Sequence, residues 1–201
     1  MQGGVISTRV SPIKSKIREF LKVNVGTETA QIILRVNDFM GSIQAGRTSQ
    51  AERTRLNHTN ADVVEQTAEN LIGKVSGTER TLLSKSLQEA LYYAVRFEPN
   101  LDYDEFIARV SHYLHQRGAG SFIKRFLSLF FFNFVRFHTG EILREKASTS
   151  DEFEEYLAGL DMVCQQTVTF AWKSFEKTKQ PLDLQAAHKL ISDIEQRLRG
   201  I

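Results

Sequence analysis

His112 and His115 stand three residues apart, and His138 with Glu141 repeats that spacing. On a helix an i, i+3 pair shares a face, which is how imidazole and carboxylate ligands converge on a metal. A helical di-metal centre also needs inward glutamates joined to Glu-x-x-His pairs, and the chain contains no Glu-x-x-His. The histidines therefore read as surface or helix-end residues, and no metal is assigned. Cys164, the single cysteine, falls on the core side of an apolar helical pattern, the place of a small buried hydrophobe rather than an activated thiolate. G-x-S-x-G, G-x-x-x-x-G-K-[ST], H-E-x-x-H and G-x-G-x-x-G are all missing. Glu154 and Glu155 lie in a first helical turn, where the helix dipole accounts for them. No catalytic residue and no cofactor is assigned, and an enzyme stands third among the functional readings.

Two segments have more specific character. In HQRGAGSFIKR, Gly118, Ala119 and Gly120 lead into a helix N-terminus at Ser121, with Arg117, Lys124 and Arg125 nearby. Free amides and cations together can hold a phosphate or carboxylate; a plain helix-helix turn stopped by glycine is the competing reading. Next comes a helix holding 7 of the chain's 14 phenylalanines, Phe122, Phe126, Phe130, Phe131, Phe132, Phe134 and Phe137. Their arc leaves Lys124, Arg125, Ser128 and Arg136 as a narrow polar strip, with Phe132 between them. The cluster reads as bundle core, as a partner surface or as an apolar pocket formed by Phe130, Phe131, Phe132, Phe134, Phe137 and His138.

The elements that position these residues are all helical. Ser11-Pro12 opens a short basic helix with Ile13, Ile17, Phe20 and Leu21 on one face; peripheral membrane contact through 12–22 is the minor reading there, and a solvated face the favoured one. Thr27 or Thr29 caps a second helix carrying Ile33, Val36, Phe39, Met40 and Ile43. Asn60 caps a third, with Val64 to Val75 in register, and Thr78 a fourth with Leu83, Leu87 and Leu91. Asp102 or Asp104 opens the fifth, Ser121 the sixth, and Thr149 with Glu152 forms a capping box before the seventh. Pro181 ends that element, and Leu184, Ala187, Ile191, Ile194 and Leu198 mark the last. No alternating strand pattern persists. The expected fold is all-α, an irregular or orthogonal bundle of seven to eight helices around a central Phe-rich helix. It is read as a single domain over 1–201, with 1–10 flexible and 44–59, polar and trypsin-rich in arginine, a mobile loop.

Charge excludes more than it suggests. Twenty-six basic residues against 24 acidic ones give a net +2, so no global field draws the protein to nucleic acid. The longest uncharged apolar run, 126–135, is half the length of a membrane span. Locally, Arg117, Lys124, Arg125, Arg136 and Arg144 face only Glu141 across 117–144, while 149–172 holds five acids and no Lys or Arg; the two stretches are expected to attract one another. The reading favoured is a non-catalytic, cytoplasmic helical module that acts through protein contacts, as a regulatory or self-associating, oligomer-forming protein. A binding protein for an apolar or haem-like ligand in a Phe-lined pocket is the alternative.

Overall fold

The computed structural model describes residues 27–47, 62–98 and 100–200. They form seven helices: α1 (Thr27–Gln44), α2 (Val63–Ile72), α3 (Gly77–Ala94), α4 (Tyr103–Arg117), α5 (Ala119–Lys146), α6 (Ser150–Lys177) and α7 (Leu184–Arg199). No strand occurs among the described residues, so the chain is all-α as its periodicities predict. The described residues divide into two compact units, one within 31–126 and one made of 27–30 with 127–200.

In the unit of 31–126, α2 packs on α3 and α4, and α3 on α4. Ile33, Val36 and Met40 from α1, Val64, Ala68 and Ile72 from α2, Leu83, Leu87 and Leu91 from α3, and Phe106, Val110 and Leu114 from α4 are buried. Their recurrence every three or four residues is the apolar stripe that makes each segment helical in context. Long-range polar contacts fix both ends of α2. Asp62 accepts the Val64 N–H at 2.7 Å as N-cap and the Tyr92 hydroxyl at 2.7 Å, tying the start of α2 to α3. Burial and that carboxylate push the Tyr92 phenol pKa up. At the other end Arg35 donates to the carbonyls of Leu71 and Ile72, and Arg80 to those of Gly73 and Val75. Arg80 also pairs with Glu69, which accepts from Ser84 at 2.6 Å. Two guanidiniums thus satisfy carbonyls that α2 itself leaves open. Gly73 has φ +68°, and a Cβ there would sit 2.6 Å from Arg35 Nη1.

In the other unit α6 and α7 pack together. Leu157, Leu160, Val163, Cys164, Val168, Ala171 and Trp172 from α6 and Ala187, Leu190, Ile191, Ile194 and Leu198 from α7 are buried. Burial pushes the Cys164 thiol pKa up, which keeps it an unreactive core residue. Thr149 caps α6 by accepting the Glu152 N–H, while Glu152 reaches back one residue further than a capping box, to the Ser148 N–H. Asp183 caps α7 through the Ala186 N–H.

Several boundaries differ from the sequence reading. Asn60 lies outside the described residues and Asp62 is the cap of α2, because its second oxygen has Tyr92 to hold it. Val75 is buried but not helical: Gly73 turns left-handed first, with its N–H returned to Glu69. Helix α3 starts at Gly77 after Ser76, and Thr78 lies inside its first turn. Helix α5 starts at Ala119, not Ser121, since Gly118 alone, at φ +77°, reverses the chain. Ser128 is buried, so the polar strip is not a solvent strip at that point. The expected helix from Pro12, residues 1–10 and residues 48–59 of the expected loop lie outside the described residues; Gln44 ends α1 and 45–47 continue it as a turn.

Leu91→Ala and Leu160→Ala are each expected to cost about 2–5 kcal/mol, the range for emptying a packed site. Gly73→Ala is expected to cost about 1–3 kcal/mol, since it forces a left-handed φ and displaces Arg35. Equilibrium urea unfolding measures all three, and a loss near zero at Gly73 would show that the Arg35 contact does not constrain the turn.

Candidate functional site

The end of α3 is unusual. The Phe97 N–H donates to Tyr92 O at 2.7 Å and the Arg96 N–H to Tyr93 O at 3.2 Å, the nested pair of bonds of a Schellman termination. That motif requires a left-handed residue after the cap, a position normally given to glycine. Here Arg96 takes φ 60° and Phe97 follows at φ 57°. A left-handed bulky residue costs about 1–2 kcal/mol, and this one is not repaid by burial, since Phe97 is 65% exposed. Strain of this kind gathers at functional positions.

Beside the turn lies a cleft between the end of α3 and one face of α4. One depression of about 390 Å³ is lined by Ala94, Val95, Arg96, Glu105, Ala108, Arg109 and His112. A second, of about 310 Å³, is lined by Tyr93, Ala94, Arg96, Phe97, His112, Tyr113, Gln116 and Arg117. They share Ala94, Arg96 and His112. The α4 contribution recurs every three or four residues, so a single helical face builds that wall. The small Ala94 and the buried Val95 leave the floor low.

Cations dominate the lining. Arg109 is paired with Glu98 at 2.5 Å, and Glu105 is engaged by the Asp102 backbone N–H in a capping box. Arg96 and Arg117 are exposed and have no ion pair among the described residues. The wall behind them is aromatic: Tyr93 and Tyr113 meet edge to face at 6.2 Å, and Tyr113 meets Phe122 in the same way. The Arg125 guanidinium lies 4.2 Å over the Tyr93 ring, a cation–π contact. Burial, then Tyr93, push the Tyr113 phenol pKa up, while Arg117 and Arg125 pull it back. Guanidinium and aromatic side chains of this kind are chemically complementary to anionic and aromatic groups. Among the described residues no group of three or more His, Cys, Asp or Glu side chains is placed to hold a metal.

The residues singled out from the sequence are distributed as follows. Arg117 lines the cleft, and Gly118 is the one residue between α4 and α5. Gly120 and Ser121 lie in the first turn of α5, where the Ser121 N–H is taken by Gly118 O at 3.2 Å. Lys124 and Arg125 are half-buried, the latter turned onto Tyr93. Phe130 and Phe131 are fully buried, Phe132 and Phe134 half-buried, and Phe137 is 60% exposed. Arg136 stands 6.0 Å over the Phe132 ring. His138 is half-buried against Phe134 and Phe137, at 4.7 and 5.1 Å between rings. His112 and His115 do not converge: Nε2 of His112 meets the Gln116 amide and Nδ1 of His115 donates to Ser111 O. Among the described residues Arg125, Arg136 and Arg144 of α5 form no ion pair with the acids of α6, and Arg144 instead stacks 5.4 Å over Phe153. Sequence reasoning missed Tyr93, Arg96, Phe97 and Arg109. The available signal was a helix end at Arg96-Phe97 with neither glycine nor asparagine to make the turn.

No protein-family model matches the chain, and no curated protein or solved structure shows significant similarity to it.

Arg96→Gly is expected to stabilise the fold by about 0.5–1 kcal/mol by removing left-handed strain, read as a rise in the urea midpoint. His138 supplies a pH test. Burial lowers its folded pKa below the ordinary 6.5, so the unfolded chain binds more protons as the pH falls. Its contribution is intact above about pH 6.5 and is lost as the pH drops through the folded value. His138→Phe is expected to lose less stability than the wild type between about pH 7 and pH 5; equal losses would remove His138 as the cause.

Proposed function

We propose that the chain is a non-catalytic helical module that works through protein contacts, and that the α3–α4 cleft is its contact surface. One observation carries the reading: Phe97 is held 65% exposed on a left-handed turn, in a depression with Arg96 and Arg117, which have no ion pair among the described residues. A fold gains nothing from straining an aromatic residue into water, whereas a partner that covers the ring recovers its burial. Aromatic residues and arginine are the types enriched in protein interfaces and dominant among their energetic centres, and Tyr93, Arg96, Phe97 and Arg117 stand together here. The positive lining favours an acidic partner surface through both association rate and register. The lone cysteine suits a reducing, cytoplasmic setting, and the near balance of charge argues against nucleic acid as the partner. Among the described residues no helix is long and apolar enough to cross a membrane.

A photoreactive phenylalanine analogue at position 97, irradiated in living cells, tests this. A defined protein adduct is expected, absent when Arg96→Glu and Arg117→Glu are introduced. An analogue at Phe170, also exposed, serves as the comparison; position 97 yielding no adduct beyond that background would overturn the reading. Phe97→Ser is expected to abolish partner capture while changing stability by less than about 0.5 kcal/mol, as for other exposed side chains.

A further inference from the structure

We propose that the occupant of the cleft is the acidic first turns of α6 from a second copy of this chain, so that copies join head to tail. This rests on the cleft being a protein-contact surface and names its partner.

The cleft first defines the charge it needs. The half lined by Tyr93, Phe97, Tyr113 and Gln116 contains Arg96, His112 and Arg117 and no carboxylate. In the other half the acid Glu105 is engaged by a backbone N–H and Arg109 by Glu98. Arg96 and Arg117 therefore remain as the positive charge to be met, in the depression that the exposed Phe97 ring also lines.

Parts of the chain outside the described residues carry the wrong sign for this. Residues 1–26 hold five cations, Arg9, Lys14, Lys16, Arg18 and Lys22, against Glu19, and 48–61 hold Arg53 and Arg55 against Glu52. The matching charge lies on α6. Asp151, Glu154 and Glu155 are exposed, lie at i, i+3 and i+4, and have neither a hydrogen bond nor an ion pair from a side chain among the described residues. They share one face, and no Lys or Arg interrupts 149–172. Glu152 is excluded from this set because it is engaged by the Ser148 N–H and the Tyr156 hydroxyl. Other acids near a helix end, such as Asp193 and Glu195, already have Arg197 and Arg199. Carboxylates projecting from one helical turn can enter two adjoining depressions while the helix body stays outside. The contact joins two different surfaces, so it is heterologous and repeats from copy to copy.

Sedimentation velocity on the full chain tests the proposal. In about 20 mM salt the average mass is expected to rise with protein concentration, and to return to the monomer in about 500 mM salt as the charges are screened. Arg96→Gln/Arg117→Gln removes the cleft's charge without reversing it and Asp151→Lys/Glu154→Lys/Glu155→Lys blocks the acidic turn; each variant alone is expected to stay monomeric. Mixed, they retain one intact cleft and one intact acidic turn between them, and are expected to form a 1:1 dimer that grows no further. Circular dichroism verifies folding. If the lysine variant unfolds, Asp151→Asn/Glu154→Gln/Glu155→Gln takes its place, with self-association weakened by about tenfold or more. A wild type that is monomeric at every concentration in low salt, a mixture that stays monomeric, or one that polymerises would each overturn the proposal. A monomeric wild type that still gives protein adducts through position 97 would remove the second copy as the occupant and leave the cleft a contact surface; loss of both would remove the cleft as well.

Discussion

The carbonyls left over at a helix C-terminus must find donors, and in this chain the answer to that requirement shapes everything around the cleft. At α2 the donors come from elsewhere: Arg35 and Arg80 reach in from neighbouring helices. At α3 they come from the chain itself, which folds back through Arg96 and Phe97. The two endings have opposite consequences. Closing α2 with side chains lets a glycine take the left-handed turn and ties three helices together. Closing α3 with its own backbone places the left-handed strain on residues with large side chains, and so lifts a ring and a guanidinium out of the fold.

Arginine use follows the same division. Arg35 and Arg80 neutralise the negative end of a helix, and Arg125 and Arg144 lie over Tyr93 and Phe153. Those placements bury part of each guanidinium against something that stabilises it. The Arg109–Glu98 pair stands partly in water, at 38% and 47% exposure, and pairs of that kind contribute at most about 1 kcal/mol. Arg96 and Arg117 have neither carbonyl, carboxylate nor ring among the described residues. Charges left in this state do little for folding.

The Phe-rich helix supplies a contrast. Phe130 and Phe131 are adjacent in sequence and both fully buried, meeting at 5.4 Å between rings. Two neighbours 100° apart on a helix can both be buried when the apolar arc is wide enough to span them. The density of phenylalanine there is therefore mostly a packing feature, and the ring most open to water is Phe137, at the far side of the arc from Phe132.

The sequence by itself determined the helices and the faces they bury. The four-residue spacing of Leu83, Leu87 and Leu91, the three-four spacing of Leu157, Leu160 and Cys164, the caps at Asp102 and Thr149, and the glycine between α4 and α5 are local signals, and local backbone physics is enough to read them. It also separated the basic stretch around Arg117 from the acidic start of α6. Which of those charges stay unpaired is another matter. Arg35 finds Ile72 from 37 residues away and Asp62 finds Tyr92 from 30, distances over which periodicity carries no information. The cleft arose the same way: nothing in the sequence pattern singled out Arg96 and Phe97, and they became part of a surface only when the one face of α4 carrying Arg109, His112 and Arg117 packed beside the end of α3. Helix register decides what a residue faces along its own element, but which side chain comes from the next element to meet it is fixed only by packing.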